Sequence, residues 1–302
     1  MPSWQARLHN LAVRAIVRRR SWRDERSLTR RARLIFGAPP GYRSLAAGGI
    51  RCARVHGGAV RGEWLIPRHP SSGILLYVHG GGFVSCSAAS HRPITAALAR
   101  LTSRRVFSLD YRLAPEHRFP AAPDDVLGAY EWLTAEAPDQ RIAVAGDSAG
   151  GNLVIGLAVR IRDLGRPSPA CIVAFSPWTD LAATGSSARH NDGRDVMFHY
   201  DNLAEFAAVY LGDVAAKRPD ASPVFASLTG LPPVLLHVGS TEVLLDDARR
   251  VDEAIRRAGG SSQLTVFDGV AHCWQMLVPF LPEASASLKS AASFITSHLS
   301  SA

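Results

Sequence analysis

Cysteine is scarce in this 302-residue chain: Cys52, Cys86, Cys171 and Cys273 are far apart, and none stands at paired metal-ligand spacing. A zinc site or other resident metal is therefore not expected, and the thiols read as free in a reducing cytoplasm. Long apolar runs are also missing. None approaches the roughly 20 residues that a spanning helix needs, and the first residues lack the apolar core of a secretory signal. Stable membrane insertion and a cleaved secretory leader are thus not expected. The chain has no internal repeat and no low-complexity tract.

What is present describes a globular protein. With 47% hydrophobic residues, a chain of this length can bury one large core, and α/β sheets of this size commonly stand as one domain. Residues 1–302 are read as a single domain. The net charge of +8 would suit a nucleic acid or a membrane surface as partner, but much of the excess lies in the arginines of residues 1–37, and a local charge run describes one segment only. In that segment Trp4, Leu8, Leu11 and Ala15 recur at helical spacing, the pattern of an amphipathic helix that covers a pocket. Membrane contact and targeting are the other readings of the same pattern.

From about residue 50, short apolar runs alternate with helical patterns. The runs 73–80, 104–112, 141–146, 169–177, 233–240 and 262–269 read as strands, several apolar at consecutive positions as parallel strands buried on both faces should be. Helices are expected over 90–102, 123–137, 149–165 and 246–260. The alternation predicts a mostly parallel, doubly wound α/β sheet. Residues 181–212 break it with a polar loop and then a helical pattern, as an insertion above the sheet would.

The stretch 144-VAGDSAGG-151 places Ser148 between a strand and a helix, with glycine two positions away on each side. That context suits a sharp turn that lifts a nucleophilic hydroxyl above the sheet edge. A bare G-x-S-x-G could equally be a tight turn with an N-capping serine. A serine nucleophile also needs a base, a carboxylate and donors for an oxyanion. The donors are suggested by 79-HGGGF-83, whose glycines sit directly behind a buried strand and leave backbone N–H groups free to face an anion.

Together 79-HGGGF-83, 110-DYRLAPEHRFPAAPDD-125, 145-AGDSAGGN-152 and 176-SPWTDL-181 resemble the hormone-sensitive lipase branch of the α/β-hydrolases, in that family's order over nearly all of residues 45–300. The resemblance implies an α/β-hydrolase fold with a helical cap, formed by about 1–45 and about 181–217 over a core of about 46–180 and 218–302. It implies Ser148 as nucleophile, with Gly81, Gly82 and Ala149 as oxyanion donors and no cofactor. Some members of the family pair as homodimers through the last strand.

The base should follow the last strand, in the chain order serine, acid, histidine. His272 fits that order. His190 and His199 lie in the insertion, His91 opens a helix, His237 reads as a core histidine, and His79 organises the glycine loop. The acid departs from the family's Asp-Pro-Leu-x-Asp: this chain reads 242-EVLLDD-247, which puts Glu242 at the first aspartate's place. Asp246 is the alternative acid, although it also suits a helix N-cap. Asp147 and Asn152 are read as bracing the elbow, Asp110, Tyr111, Arg112 and Glu116 the glycine loop, and Asp124 or Asp125 as a helix cap. Trp178, Phe83, Phe198, Phe206, Tyr210, Trp274 and Met276 are candidate pocket residues. The function expected is a serine carboxylesterase acting on short- to medium-chain esters of small molecules. A lactonase or amidase with the same triad, or a non-catalytic small-ligand receptor on the same fold, remains open.

Overall fold

The computed structural model describes residues 1–18, 24–37, 49–55, 58 and 60–300. An eight-stranded sheet runs through its centre in the order β1-β2-β4-β3-β5-β6-β7-β8. The six expected strands are all present: β3 (Ile74–Val78), β4 (Arg105–Leu109), β5 (Ile142–Asp147), β6 (Ile172–Phe175), β7 (Val234–Gly239) and β8 (Ser262–Phe267). These pair in parallel throughout, with Leu76 opposite Phe107 on one side and Val144 on the other.

Two strands have no counterpart in the sequence reading. They are β1 (Arg51–Val55) and β2 (Gly62–Ile66), which add to the sheet antiparallel. β1 carries two arginines and is partly exposed, so it lacks a clean apolar alternation. In β2, Glu63 is buried at an inward position, which it can occupy because Arg92 meets it at 2.6 Å. A charge at a buried strand position hides the period-2 signal.

Alternate residues of β3 face opposite layers. Ile74, Leu76 and Val78 point into one core with α4 (Ala121–Glu136), α5 (Ala149–Asp163) and α8 (Leu245–Arg257); Leu75 and Tyr77 point into a second with α3 (Arg92–Thr102) and α9 (Pro282–Ser300). Both faces are covered, as the consecutive apolar runs require. Truncating a fully buried residue such as Leu76 to alanine would cost about 2–5 kcal/mol. Pro120, not Asp124 or Asp125, is the N-cap of α4; Asp124 instead pairs with Arg160 and Asp125 with Arg112.

Four helices lie over the C-terminal ends of the strands. α1 (Trp4–Ile16) starts at Ser3, whose hydroxyl accepts from Ala6 N, and α2 (Glu25–Phe36) at a reciprocal cap between Asp24 and Ser27. The insertion contributes α6 (Ser187–His190) and α7 (Tyr200–Leu211). Arg118 reaches from the core to Glu25 at 2.7 Å, and Arg33 to Glu116 at 2.5 Å, tying α2 down. The parts of the expected cap at 19–23 and 38–48 lie outside the described residues. One expectation is reversed. The stripe Trp4, Leu8, Leu11 and Ala15 faces solvent, and the opposite side of α1, with Ala6 and Val13, faces the protein.

Candidate active site

All parallel strands end at one edge, and the chain's candidate residues follow those ends: His79–Phe83 after β3, Ser148 after β5, Ser176 after β6, Glu242 after β7 and His272 after β8. In open α/β sheets this edge is where ligands bind.

Ser148 has φ 53° and ψ −120°, a conformation that costs an ordinary residue about 1–3 kcal/mol and persists only where the surroundings hold it. They do so here. Ser148 N donates to Phe175 O at 2.8 Å, and Ser148 O accepts from Trp178 N at 3.0 Å and Asn152 N at 3.2 Å. The glycines of the elbow serve close approach rather than the strained dihedral itself: a Cβ on Gly150 would sit 2.0 Å from Val78 O. Because Ala149 opens α5, its N–H has no acceptor within the helix.

In the glycine loop, Gly81 and Gly82 both have positive φ (102° and 62°), the region that L side chains avoid. Among the described residues, no protein acceptor takes the N–H of Gly81, Gly82 or Ala149. The loop is held from behind. Tyr111 OH donates to His79 O at 3.0 Å, and the His79 ring stacks on Tyr111 at 4.3 Å. Burial, with His91 nearby, pushes the His79 pKa down to about 4, so it is neutral at pH 7.

Asp147 fastens the elbow to this loop. Its carboxylate accepts from Tyr77 OH (2.7 Å) and Gly80 N (3.1 Å), lies 3.2 Å from His91 Nε2, and takes the Cys273 thiol at 3.4 Å. Burial alone would push its pKa up, but His91 and the Tyr77 hydroxyl outweigh it and hold the group at about 2. Asn152, expected to brace the elbow, instead donates to Trp178 O and Ala221 O and secures the segment after β6.

His272 is 2.6 Å from Glu242: its Nδ1 donates to Oε2. The other Glu242 oxygen accepts from Gly239 N at 2.6 Å and Ser176 Oγ at 2.7 Å, which fixes the carboxylate. Burial pushes the His272 pKa down, yet the Glu242 charge and hydrogen bond outweigh it, and the net shift is upward. Its Nε2 is buried and has no protein partner among the described residues. Asp246 lies elsewhere. It accepts from Ser186 Oγ (2.7 Å) and Ser187 N (2.8 Å), and sits in the first turn of α8 rather than at its N-cap, which is Leu244.

Ser148, His272, Gly81 and Gly82 line one cavity of about 350 Å³. Of the candidate pocket residues, Trp178, Phe198, Phe206 and Met276 line it. Phe83, Tyr210 and Trp274 are core instead, Phe83 stacking on Tyr210 at 3.8 Å. The insertion reaches the site directly: Phe198 stands edge-on to His272 at 5.2 Å.

Asp195 was not singled out by its sequence, although it sits just before the insertion's Met197 and Phe198. It is buried and accepts from Met197 N, Phe198 N and Val243 N, clamping the insertion to the loop that carries Glu242. Cys86 and Cys273 also line the cavity, but burial pushes Cys86 to about 12 and Cys273 well above its ordinary value, so neither is a ready thiolate. Among the described residues, no group of three His, Cys, Asp or Glu side chains is placed to hold a metal.

A strained serine between strand and helix, under a glycine loop and beside a carboxylate-bound histidine, defines an α/β-hydrolase. Residues 75–276 match the family described as alpha/beta hydrolase fold. An acetyl-hydrolase of Streptomyces hygroscopicus is 38% identical over 77% of this chain and 78% of its own length, and an esterase of Acinetobacter venetianus 34% identical over 82% of each. The crystal structure of an esterase from the bacterial hormone-sensitive lipase family superposes with a TM-score of 0.89 at 36% identity, covering 99% of both chains. The chain belongs to that family.

Proposed function

We propose that this carboxylic ester hydrolase works through Ser148, His272 and Glu242, with Gly81, Gly82 and Ala149 donating to the oxyanion. Ser148 Oγ attacks the ester carbonyl carbon while its proton passes to His272 Nε2. Glu242 holds the ring by Nδ1 and stabilises the imidazolium. The carbonyl electrons move onto oxygen, where the N–H groups meet them, and return as the C–O bond to the alcohol breaks. The alcohol leaves with the proton from His272. Water then repeats the sequence on the acyl-enzyme: His272 takes its proton, and Ser148 leaves as the hydroxyl when the acid is released.

One observation carries the reading: the 2.6 Å bond from His272 to Glu242, with Nε2 left to the cavity that Ser148 lines. A cavity of about 350 Å³ beneath the insertion favours short- to medium-chain acyl groups, acetyl to hexanoyl. The cap of about 1–45 and 181–217 is the part we assign to closing that cavity. β8 is the sheet's last strand, where the homodimer of the resemblance would form, and the four free thiols go with a cytoplasmic location.

Hydrolysis of nitrophenyl esters from acetyl to palmitoyl by wild type and Ser148→Ala is the test. Short esters should turn over fastest, and the variant should be inactive. Faster turnover of palmitoyl esters would overturn the chain-length reading. A wild type inactive on every ester but active on lactones or amides would move the chain to those substrates.

A further inference from the structure

α1 is seated by its polar side. Ser3 donates from N and Oγ to Glu283 at 2.7 and 2.9 Å, Asn10 Nδ2 to Gly269 O at 2.7 Å, and Arg18 to the carbonyls of Asp192 and Asp195. The apolar residues on that side are small: Ala6 and Val13 are buried. Outward stand Trp4, Leu8, Leu11 and Ile16, each 61–70% exposed. Residues 4, 8, 11 and 15 share one helical face, so the apolar stripe of this amphipathic helix has no protein against it. Leu34 and Phe280, 78% and 80% exposed, extend the surface. Phe280 adjoins Leu281, which packs in one cluster with Ala6; Leu34 precedes Ile35 and Phe36, which line the catalytic cavity together with His9 of α1. The helices that carry the exposed apolar residues of the N-terminal segment thus also supply part of the cavity wall. Of the ten large apolar side chains exposed among the described residues, six lie in residues 1–37, a concentration that marks an interaction surface rather than chance exposure.

Charge identifies what covers it. Residues 1–37 contain ten arginines and two acidic residues, which accounts for the whole net charge of +8; the remaining chain is balanced. Arg7 and Arg14 are exposed beside the stripe. A second copy would bring this cationic surface against itself in an isologous contact, which is repulsive. Nucleic acid would satisfy the arginines but gain nothing from a leucine stripe. An anionic lipid surface satisfies both, taking the apolar face into the headgroup boundary and the guanidiniums among phosphates. No described helix is long and apolar enough to cross a membrane.

We propose that the outward face of α1, with the exposed Arg7 and Arg14 beside it, docks flat on an anionic bilayer and turns the cavity mouth toward the lipid. Amphipathic esters held in the bilayer would then reach Ser148 without crossing bulk water. The surface is a property of the fold independent of the esterase reading, and its test reads binding.

The experiment is flotation of the full chain with vesicles of phosphatidylcholine alone and of equal parts phosphatidylcholine and phosphatidylglycerol. Wild type should float with the phosphatidylglycerol vesicles and release as salt is raised. The double variant Leu8→Gln/Leu11→Gln should lose on the order of tenfold or more in partitioning, while its hydrolysis of a soluble short ester stays at the wild-type level. Tryptophan emission should shift blue on binding, and Trp4→Phe should remove that shift. No flotation, equal flotation on both vesicles, or wild-type flotation of the double variant would overturn the proposal. So would a wild-type dimer that the double variant converts to monomer in the absence of vesicle binding, since a second copy would then be what covers the stripe.

Discussion

The sheet's C-terminal edge and the cap above it are built on opposite terms. At the edge, backbone and buried carboxylates hold each group in one place: Glu242 receives Gly239 N, Ser176 Oγ and His272 Nδ1, and Asp147 receives Tyr77 OH and Gly80 N. Over it, α1 and α2 bury only a few side chains, Ala6 and Val13 of the one and Leu28, Thr29 and Ala32 of the other, and their ion pairs to the core, Arg33 to Glu116 and Arg118 to Glu25, are partly exposed. Exposed pairs of that kind contribute only about 0–1 kcal/mol each. The difference teaches where rigidity is placed: on the proposed assignment, the groups whose exact positions the chemistry needs sit on the sheet, and the cap we assign to closing the cavity is the weaker layer.

The largest effects should therefore come from the edge. Ser148→Ala and His272→Ala should each lower kcat by on the order of 10³-fold or more, and the double variant should lose little beyond either one because the triad acts as a unit. Additive losses, measured with one soluble ester, would break the assignment. The melting temperature of Ser148→Ala should stay near wild type, whereas His272→Ala should melt lower because it leaves the buried Glu242 carboxylate without its partner.

Glu242→Gln comes next, with a loss of kcat of about 10²- to 10³-fold, because an amide neither stabilises an imidazolium nor fixes the tautomer. It also moves the pH profile. His272 must be neutral to accept a proton, and its pKa is raised above the ordinary 6.5, so wild-type kcat/KM should fall as pH drops through a midpoint above 6.5. Without the Glu242 charge, burial pulls the other way and the midpoint should drop. Linkage runs in the matching direction. A raised pKa contributes stability that is complete below 6.5 and is lost as pH rises through the folded-state value, so the thermal advantage of wild type over Glu242→Gln should shrink from acid to alkaline pH. An unchanged midpoint would remove Glu242 from the triad.

The same contrast governs what was legible in the sequence. The elbow and the HGGG loop could be read because close backbone approach and positive φ at those points demand glycine in a fixed order. His272 followed from chain order. Glu242 was legible as a carboxylate after β7, with Asp246 standing as a rival only because it follows four residues later, in the first turn of α8. The cap was read as a helix from its period, but a period does not tell inside from outside: the stripe Trp4, Leu8, Leu11 and Ala15 was expected to cover the pocket and faces solvent. The inward side of α1 instead bonds through Asn10 and Ser3, whose partners Gly269 and Glu283 are more than 250 residues away. β2 was hidden by Glu63, whose partner Arg92 lies on another element. Distant polar pairs leave no local pattern.

A smaller effect should follow where the cap touches the edge. Phe198 is the insertion's contact with His272, packed edge-on at 5.2 Å and backed by Phe206. Phe198→Ala should lower kcat/KM about tenfold, mostly through KM, while kcat changes less, because the alanine removes pocket wall and water exclusion but leaves Glu242 holding the ring. A fall in kcat as large as that of Glu242→Gln would mean that the cap positions the base, and the division between rigid edge and permissive cap would fail.

The smallest effect separates two carboxylates four residues apart. Asp246 binds Ser186 Oγ and Ser187 N, and with Arg249 sits at the join between α8 and the insertion. In Asp246→Asn the side-chain oxygen can still accept from Ser187 N, while the 3.4 Å pair with Arg249, itself an exposed side chain, loses its charge. The cost should be about 1 kcal/mol of stability or less, with turnover within twofold of wild type. Glu242→Asp is the matching control at the other carboxylate. Gly239 N and Ser176 Oγ hold Oε1 where the longer side chain places it, so shortening that chain by one methylene should leave partial activity that Asp246→Asn never needs to recover. If Asp246→Asn abolished turnover in a folded protein while Glu242→Gln did not, the acid would be Asp246, and the 2.6 Å contact between Glu242 and His272 would be structural.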